Sequence, residues 1–198
     1  MSAQLYLAST SPRRRELLSQ LHLSFQTLNP NINESIQSNE GADEYVLRMA
    51  REKAQAGLVQ LPGKNNIILA ADTAVVCDEH ILGKPIDQAD AQKMLLLLSG
   101  RSHWVYSAVS CVNSYQQESI LVKSKVYFRS LTEQDIMDYW QTGEPCDKAG
   151  GYAIQGLAAI FIERLEGSFS AVMGLPLFET NALLQKFKIR ALGDTSER

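Results

Sequence analysis

Apolar residues in this chain recur at two spacings, and the alternation between them sketches the fold. The short run QLYLAS (4–9) reads as a buried strand. Ser11 then suits a helix N-cap and Pro12 the first helical position, where its missing N–H costs nothing; this helix is expected to reach about Leu21. SFQTLNP suggests a second short strand, and residues 29–41, rich in Asn, Ser and Gly, read as loop. Ala42 to about Val59 is a long amphipathic helix with an apolar stripe of Val46, Leu47, Ala50, Ala54 and Leu58. NIILAADTAVVC (66–77) has the β-branched content of a buried strand. DQADAQKMLLLLSG predicts a helix stopped by Gly100. Residues 103–113 and 119–129 read as two strands joined by the turn NSYQQ. LTEQDIMDYWQTG predicts a helix capped by Thr132 and stopped by Gly143, 158–165 a strand, and GLPLFETNALLQKF a last helix with Pro176 near its start. Strands and helices alternate without a clear linker. The expectation is one α/β domain over 1–189, a mixed, twisted sheet flanked by helices in two lobes around a cleft, followed by a polar tail over 190–198.

Several charges sit where this pattern does not want them. Arg13, Arg14 and Arg15 open the first helix, although a helix N-terminus already carries partial positive charge. At 100° per residue Arg14 shares a face with Leu17, Leu18 and Leu21, which must point into the core; Arg13 shares its side with Leu17, and Arg15 points toward solvent. Backbone N–H groups, the hydroxyls of Ser9, Thr10 and Ser11, and two guanidinium forks would converge on an anion there. The competing reading pairs Arg14 with an internal carboxylate. No Walker-type glycine pattern is present, so this is not a P-loop.

Lys53 falls at the margin of the second helix's apolar stripe, where a lysine commonly snorkels to water. Asp72 interrupts an otherwise apolar strand. A buried carboxylate needs a partner or a metal, and it suits a proton acceptor; a strand-end residue capping a turn is the plainer alternative. Glu34, in the loop NINESI, could join Asp72 as an oxygen ligand for Mg²⁺, which takes one or two carboxylates plus phosphate oxygens. Lys84, in LGKPID, is a loop lysine. DKAGGYAIQG (147–156) is a glycine-rich loop whose Gln155 could read the hydrogen-bonding edge of a base.

Composition narrows the partners. The chain has 198 residues, a net charge of −3 and 45% hydrophobic residues, ordinary for a globular protein with a real core. The balance argues against a nucleic-acid or membrane-surface binder, and no aromatic-basic surface pattern is evident. No run approaches the length of a membrane helix, and MSAQLYLAS lacks the basic start and apolar length of a signal peptide. Cys77, Cys111 and Cys146 are widely spaced and without a C-x-x-C pair, as expected of reduced structural thiols in a cytoplasmic protein.

Taken in order, LASTSPRRRELL, the NE of the following loop, REKA, AADT, GKP, DKAGGYAIQG and MGLPLFET resemble the Maf family, from about residue 5 to 187. The resemblance implies a Maf/Ham1-like, inosine-triphosphatase-like fold, a homodimer and hydrolysis of a nucleoside triphosphate between its α- and β-phosphates. It implies that Ser9, Arg13, Arg14, Lys53 and Lys84 hold phosphate oxygens, with Lys148 a further candidate. Glu34 and Asp72 would bind Mg²⁺ or Mn²⁺, and Asp72 would also be the general base. Members that prefer dTTP and UTP look like this chain at Arg13, Thr73 and Gln155, so the implied subtype is the pyrimidine one, with Thr73 and Gln155 at the base edge. One departure stands out: the loop acid pair usual in the family is Asn33-Glu34 here. Two rivals remain, a non-catalytic nucleotide-sensing regulator of septum formation and a purine-directed or 7-methyl-GTP pyrophosphatase.

Overall fold

The twelve residues of β3 (Asn66–Cys77) form the spine around which the rest of the chain is arranged in the computed structural model. The structure describes residues 4–61 and 65–191. In chain order the other elements are β1 (Gln4–Ala8), α1 (Pro12–Ser19), β2 (Phe25–Leu28), α2 (Ala42–Val59), β4 (His80–Leu82), α3 (Gln88–Leu98), β5 (Ser102–Val112), β6 (Gln117–Phe128), α4 (Glu133–Gln141), β7 (Ile162–Glu166), α5 (Phe169–Met173) and α6 (Leu177–Lys186). The sheet order is β2-β1-β3-β5-β6-β7, with β4 also on β3. β1 pairs in parallel with both β2 and β3, whereas β3-β5, β5-β6 and β6-β7 are antiparallel, so the sheet is mixed as expected.

β3 is buried on both faces, which explains its near-continuous apolar run. Its even-numbered residues Ile68, Ala70, Ala74 and Val76 pack toward α2. Its odd-numbered residues divide between two clusters on the opposite face. Ile67, Leu69 and Ala71 join Leu17, Leu18, Leu183 and Leu184 of α1 and α6. Val75 and Cys77 join Leu95, Leu98, Ile136 and Tyr139 of α3 and α4. The two lobes are these two clusters, and they part at Thr73.

Several expectations need correction. α1 stops at Ser19, and the Ser11 hydroxyl makes no capping bond to it. Residues 157–161 form a 3₁₀ turn, so the strand expected over 158–165 begins only at Ile162. β4 and α5 lack a sequence signature. β4 follows a turn in which Asp78 and Glu79 hold φ of 48° and 68°, conformations usually signalled by Asn-Gly, and both β4 and α5 are too short for periodicity to declare. Cys77 and Cys111 are buried as structural thiols should be, but Cys146 is exposed. An aromatic-basic pattern does exist: Lys123 lies over Tyr106, Lys125 over Trp104 and Arg164 over Tyr127, with Lys123 also paired to Asp43 and Arg164 to Glu166. Of the tail expected over 190–198, residues 192–198 lie outside the described residues. No helix among the described residues is long and apolar enough to cross a membrane.

One buried group gives the fold a pH signature. His103 is 1% exposed, edge-on to Phe128 and Tyr152, with Nε2 2.7 Å from the Tyr152 hydroxyl and Nδ1 without a partner among the described residues. Burial, with the Arg101 charge nearby, lowers its pKa from 6.5 to about 4. The unfolded chain therefore binds the proton first, and the stability that neutral His103 provides is complete above about pH 6.5 and drains away toward pH 4. The shift corresponds to about 3 kcal/mol. Urea midpoints at pH 7 and pH 4.5 are expected to differ accordingly, with a much flatter dependence in His103→Gln; an equally steep variant would assign the pH dependence to other groups.

Candidate active site

The site follows from an interruption in the sheet. β3 pairs with β1 through Asn66–Leu69, and on the same edge with β4 only from Val75. Between them Ala70–Ala74 have strand contacts only on the β5 side. A cleft of about 610 Å³ occupies this gap, walled by the Ser9–Arg14 turn, the Leu82–Lys84 loop and the Asp147–Gln155 segment, with Asp72 and Thr73 in its floor. Asp72 lies mid-strand opposite Ala108, so it does not cap a strand-end turn.

Strand alternation sends Asp72 toward α2 and Thr73 toward α5. α2 packs closely because Gly57 has no side chain: a Cβ there would sit 2.8 Å from Ile68 Cγ2 and 3.1 Å from Ala8 Cβ. One turn earlier on the helix, Lys53 consequently meets the sheet. It does not snorkel: it is 6% exposed, with Nζ 2.7 Å from Asp72 Oδ1 and 3.0 Å from Glu34 Oε1. Two carboxylates thus share one buried ammonium, which satisfies the need of a buried charge for a partner. The Glu34 loop is held by its backbone, whose carbonyl accepts from the Tyr45 hydroxyl at 3.1 Å. Burial, reinforced by the Asp72 and Glu34 carboxylates, pushes the Tyr45 hydroxyl up to about 12, so it stays a neutral donor.

Arg14 comes from the other side of the gap. Its Nε donates to the Gly174 carbonyl at 2.9 Å, and its Nη2 reaches Thr73 Oγ1 at 3.5 Å and Asp72 Oδ1 at 4.0 Å. Burial lowers its pKa, and the Asp72 charge acts the opposite way. Thr73 Oγ1 is 3.0 Å from Ser107 Oγ, which donates to the Ala171 carbonyl at 2.6 Å. Arg14 is therefore oriented by α5 and the residue after it, through a backbone carbonyl that side-chain patterns could not reveal. Arg14 faces an internal carboxylate, as the competing reading has it, and it also lines the cleft.

The remaining residues line the same cleft. Ser9 is buried, its hydroxyl accepting from the Ser11 amide at 3.2 Å. Arg13 is 4.0 Å from Asp147, which also pairs with Lys148. Lys84 and Gln155 are exposed into the opening. The Lys84 loop is tied to the glycine-rich segment by the Gly150 amide, which donates to Gly83 at 2.9 Å, and Gly150 holds a φ of +68° against Val75 where a Cβ would collide. Arg15 lies outside this cleft and is exposed, as its helical phase predicts. Tyr45, Asp147, Ser107 and Gly174 are the participants that sequence reasoning did not single out.

Three carboxylates, of which Asp147 is taken up by Arg13 and Lys148, five cations and the hydroxyls of Ser9 and Thr73 suit a phosphate chain with a divalent ion. Among the described residues no cluster of three or more His, Cys, Asp or Glu could form a metal cage by itself. Glu34 and Asp72 match instead a hard cation that takes its other ligands from phosphate and water.

The sequence matches the model of Maf-like proteins over residues 4–187. The chain belongs to the Maf family. Maf relatives cover it almost entirely: a Vibrio parahaemolyticus protein named dTTP/UTP pyrophosphatase is 53% identical over 94% of this chain and 98% of its own. A Vibrio cholerae protein of the same name is 49% identical over 93% of this chain and 98% of its own. The Staphylococcus aureus Ham1 structure is a far looser likeness, at 12% identity and a TM-score of 0.45 over 63% of this Maf chain and 71% of that one.

Proposed function

We propose that this Maf protein is a nucleoside triphosphate pyrophosphatase that converts dTTP and UTP to the monophosphate and pyrophosphate. The observation that carries the reading is the Lys53–Asp72–Arg14 cluster at the sheet gap: a buried carboxylate bracketed by cations that exceed its own need for charge balance. The names of the relatives at about half identity support the same activity and substrates.

A triphosphate carries about four negative charges, and its hydrolysis depends on positioning and charge stabilisation. Arg13, Arg14, Lys53 and Lys84 hold phosphate oxygens, with Ser9 donating from the turn before α1 and Lys148 near the mouth. Arg13 and Arg14 oppose the helix dipole of α1 in the free protein, and the phosphate chain relieves that conflict. Asp72 takes the proton of the water that attacks phosphorus; the bond between the bridging oxygen and that phosphorus breaks, and pyrophosphate leaves. Lys53, hydrogen-bonded to Asp72, keeps the carboxylate aimed. Glu34 and Asp72 would hold Mg²⁺ or Mn²⁺, which neutralises charge on the phosphates when bound. Thr73 and Gln155 face the base, which favours a pyrimidine.

The test is pyrophosphate release from a panel of nucleoside triphosphates with Mg²⁺ or Mn²⁺, the monophosphate being checked by chromatography. Turnover of dTTP and UTP should exceed that of ATP and GTP by at least about tenfold, more than 1.4 kcal/mol of discrimination. Turnover confined to purine or methylated-guanine substrates would discard the subtype. Nucleotide binding without any turnover would leave a regulator instead of an enzyme.

A further inference from the structure

Gln155 stands on a turn that is fastened on both sides to one pair of side chains. Tyr139, on α4 and 3% exposed, accepts from the Ala153 amide at 3.2 Å and donates to Glu144 Oε1 at 2.8 Å. Glu144 in turn accepts from the Leu157 amide at 3.1 Å and the Ala158 amide at 3.4 Å. The two bonds nearest Gln155 are thus placed symmetrically, two residues before it and two after. Between them Gly156 lies flat against the Glu144 carboxylate, and a Cβ there would overlap both carboxylate oxygens. The position of Glu144 is itself set by α4: its amide donates to Thr142 Oγ1 at 3.2 Å, and that hydroxyl donates to the Tyr139 carbonyl at 2.7 Å. The Gln155 side chain has no protein partner among the described residues, so its aim depends on the turn that carries it.

We propose that Glu144, acting with Tyr139, is a positioning residue for base recognition: it clamps the turn 153–158 so that Gln155 is presented to the cleft in one orientation. This rests on the reading of Gln155 as the group that meets the base edge. Acceptance of two N–H groups and one O–H is a task for a carboxylate, whose oxygens accept only and whose bonds are charge-assisted. Glutamine of the same volume has one accepting oxygen and one donating nitrogen, so it cannot reproduce the set. A clamp matters here because a flexible amide can satisfy either arrangement of donors and acceptors, whereas an immobilised one discriminates. Uracil and cytosine, equal in size and opposite in hydrogen-bonding pattern at one edge, are the sensitive pair.

The experiment compares kcat/KM for UTP and CTP in the wild type, Gln155→Ala, Glu144→Gln and Gly156→Ala, with the melting temperature of each. Gln155→Ala is expected to collapse the UTP preference. Glu144→Gln should lower it at least about fivefold, mainly through a higher KM for UTP, while kcat for UTP stays within about threefold. Gly156→Ala, which displaces the carboxylate with Glu144 still present, should do the same, and the double variant should be no worse than either single one. If Glu144→Gln and Gly156→Ala lower the melting temperature but leave the UTP/CTP ratio unchanged, the role is structural only and the proposal is overturned. If Gln155→Ala leaves the ratio unchanged, the base-reading role of Gln155 falls first, and the clamp proposal with it.

Discussion

Asp72→Asn is expected to lower kcat by about three orders of magnitude, the upper-middle range for loss of a general base. The substitution preserves size and an oxygen that can still accept from Lys53 Nζ, now 2.7 Å from Oδ1, while removing the proton acceptor and half of the carboxylate pair that faces Lys53. Lys53 keeps Glu34 at 3.0 Å, so its ammonium is not left alone in the interior. The fold should therefore survive with a loss of about 1–3 kcal/mol, less than that of a buried ion pair broken outright. Nucleotide should still bind, because Arg14 and Lys53 lose an internal anion and gain net positive charge toward phosphate. Steady-state pyrophosphate release beside a nucleotide-binding titration separates these effects. A near-normal rate would remove Asp72 as the base.

Arg14→Ala should cost about 10²- to 10³-fold in kcat/KM, whereas Arg15→Ala should remain within about threefold of the wild type. The contrast follows from helical phase. Arg14 turns inward to the Gly174 carbonyl, Thr73 and Asp72, whereas Arg15 turns outward, away from the cleft. A charge-assisted hydrogen bond contributes about 1.5–3 kcal/mol, so losing a guanidinium that makes one or two such bonds to phosphate accounts for the range. Arg14→Lys should fall between, since an ammonium restores charge but not the fork that holds the Gly174 carbonyl and a ligand together. Equal effects at positions 14 and 15 would mean that the arginine run acts by bulk charge, a result that raised ionic strength would mimic in the wild type.

Much of the local structure is written in the chain itself. α2 over Ala42–Val59 and β3 over 66–77 lie where periodicity and β-branched content predict, and Thr132 caps α4 as expected. These features depend on neighbours within a few residues, which a sequence displays directly. Arg14, Lys53 and Asp72 were also conspicuous, because a charge inside an apolar pattern is visible without knowing its partner. What the sequence left open was the partner. On spacing alone Lys53 reads as a residue that reaches for water and Asp72 fits a turn cap, because a sequence separation of 19 conceals a contact made only when α2 packs on β3 through Gly57. The three-residue β4, the five-residue α5 and the 3₁₀ turn at 157–161 are held by tertiary contacts and so left no periodic trace.

The sequence by itself determined the types of the longer elements, their buried faces and which charged residues were out of place, since each of these is a property of local spacing. Only the tertiary structure decided that β1 releases β3 after Leu69 and β4 takes it up at Val75, opening the gap in which Asp72 and Thr73 point to opposite faces. It also brought the Gly174 carbonyl to Arg14 across 160 residues and the Tyr139–Glu144 pair to the turn of Gln155. The reason is the range of the interactions: strand pairing, close helix-sheet packing and bonds to backbone carbonyls join residues far apart in the chain, and a carbonyl carries no side-chain identity from which its role could be read.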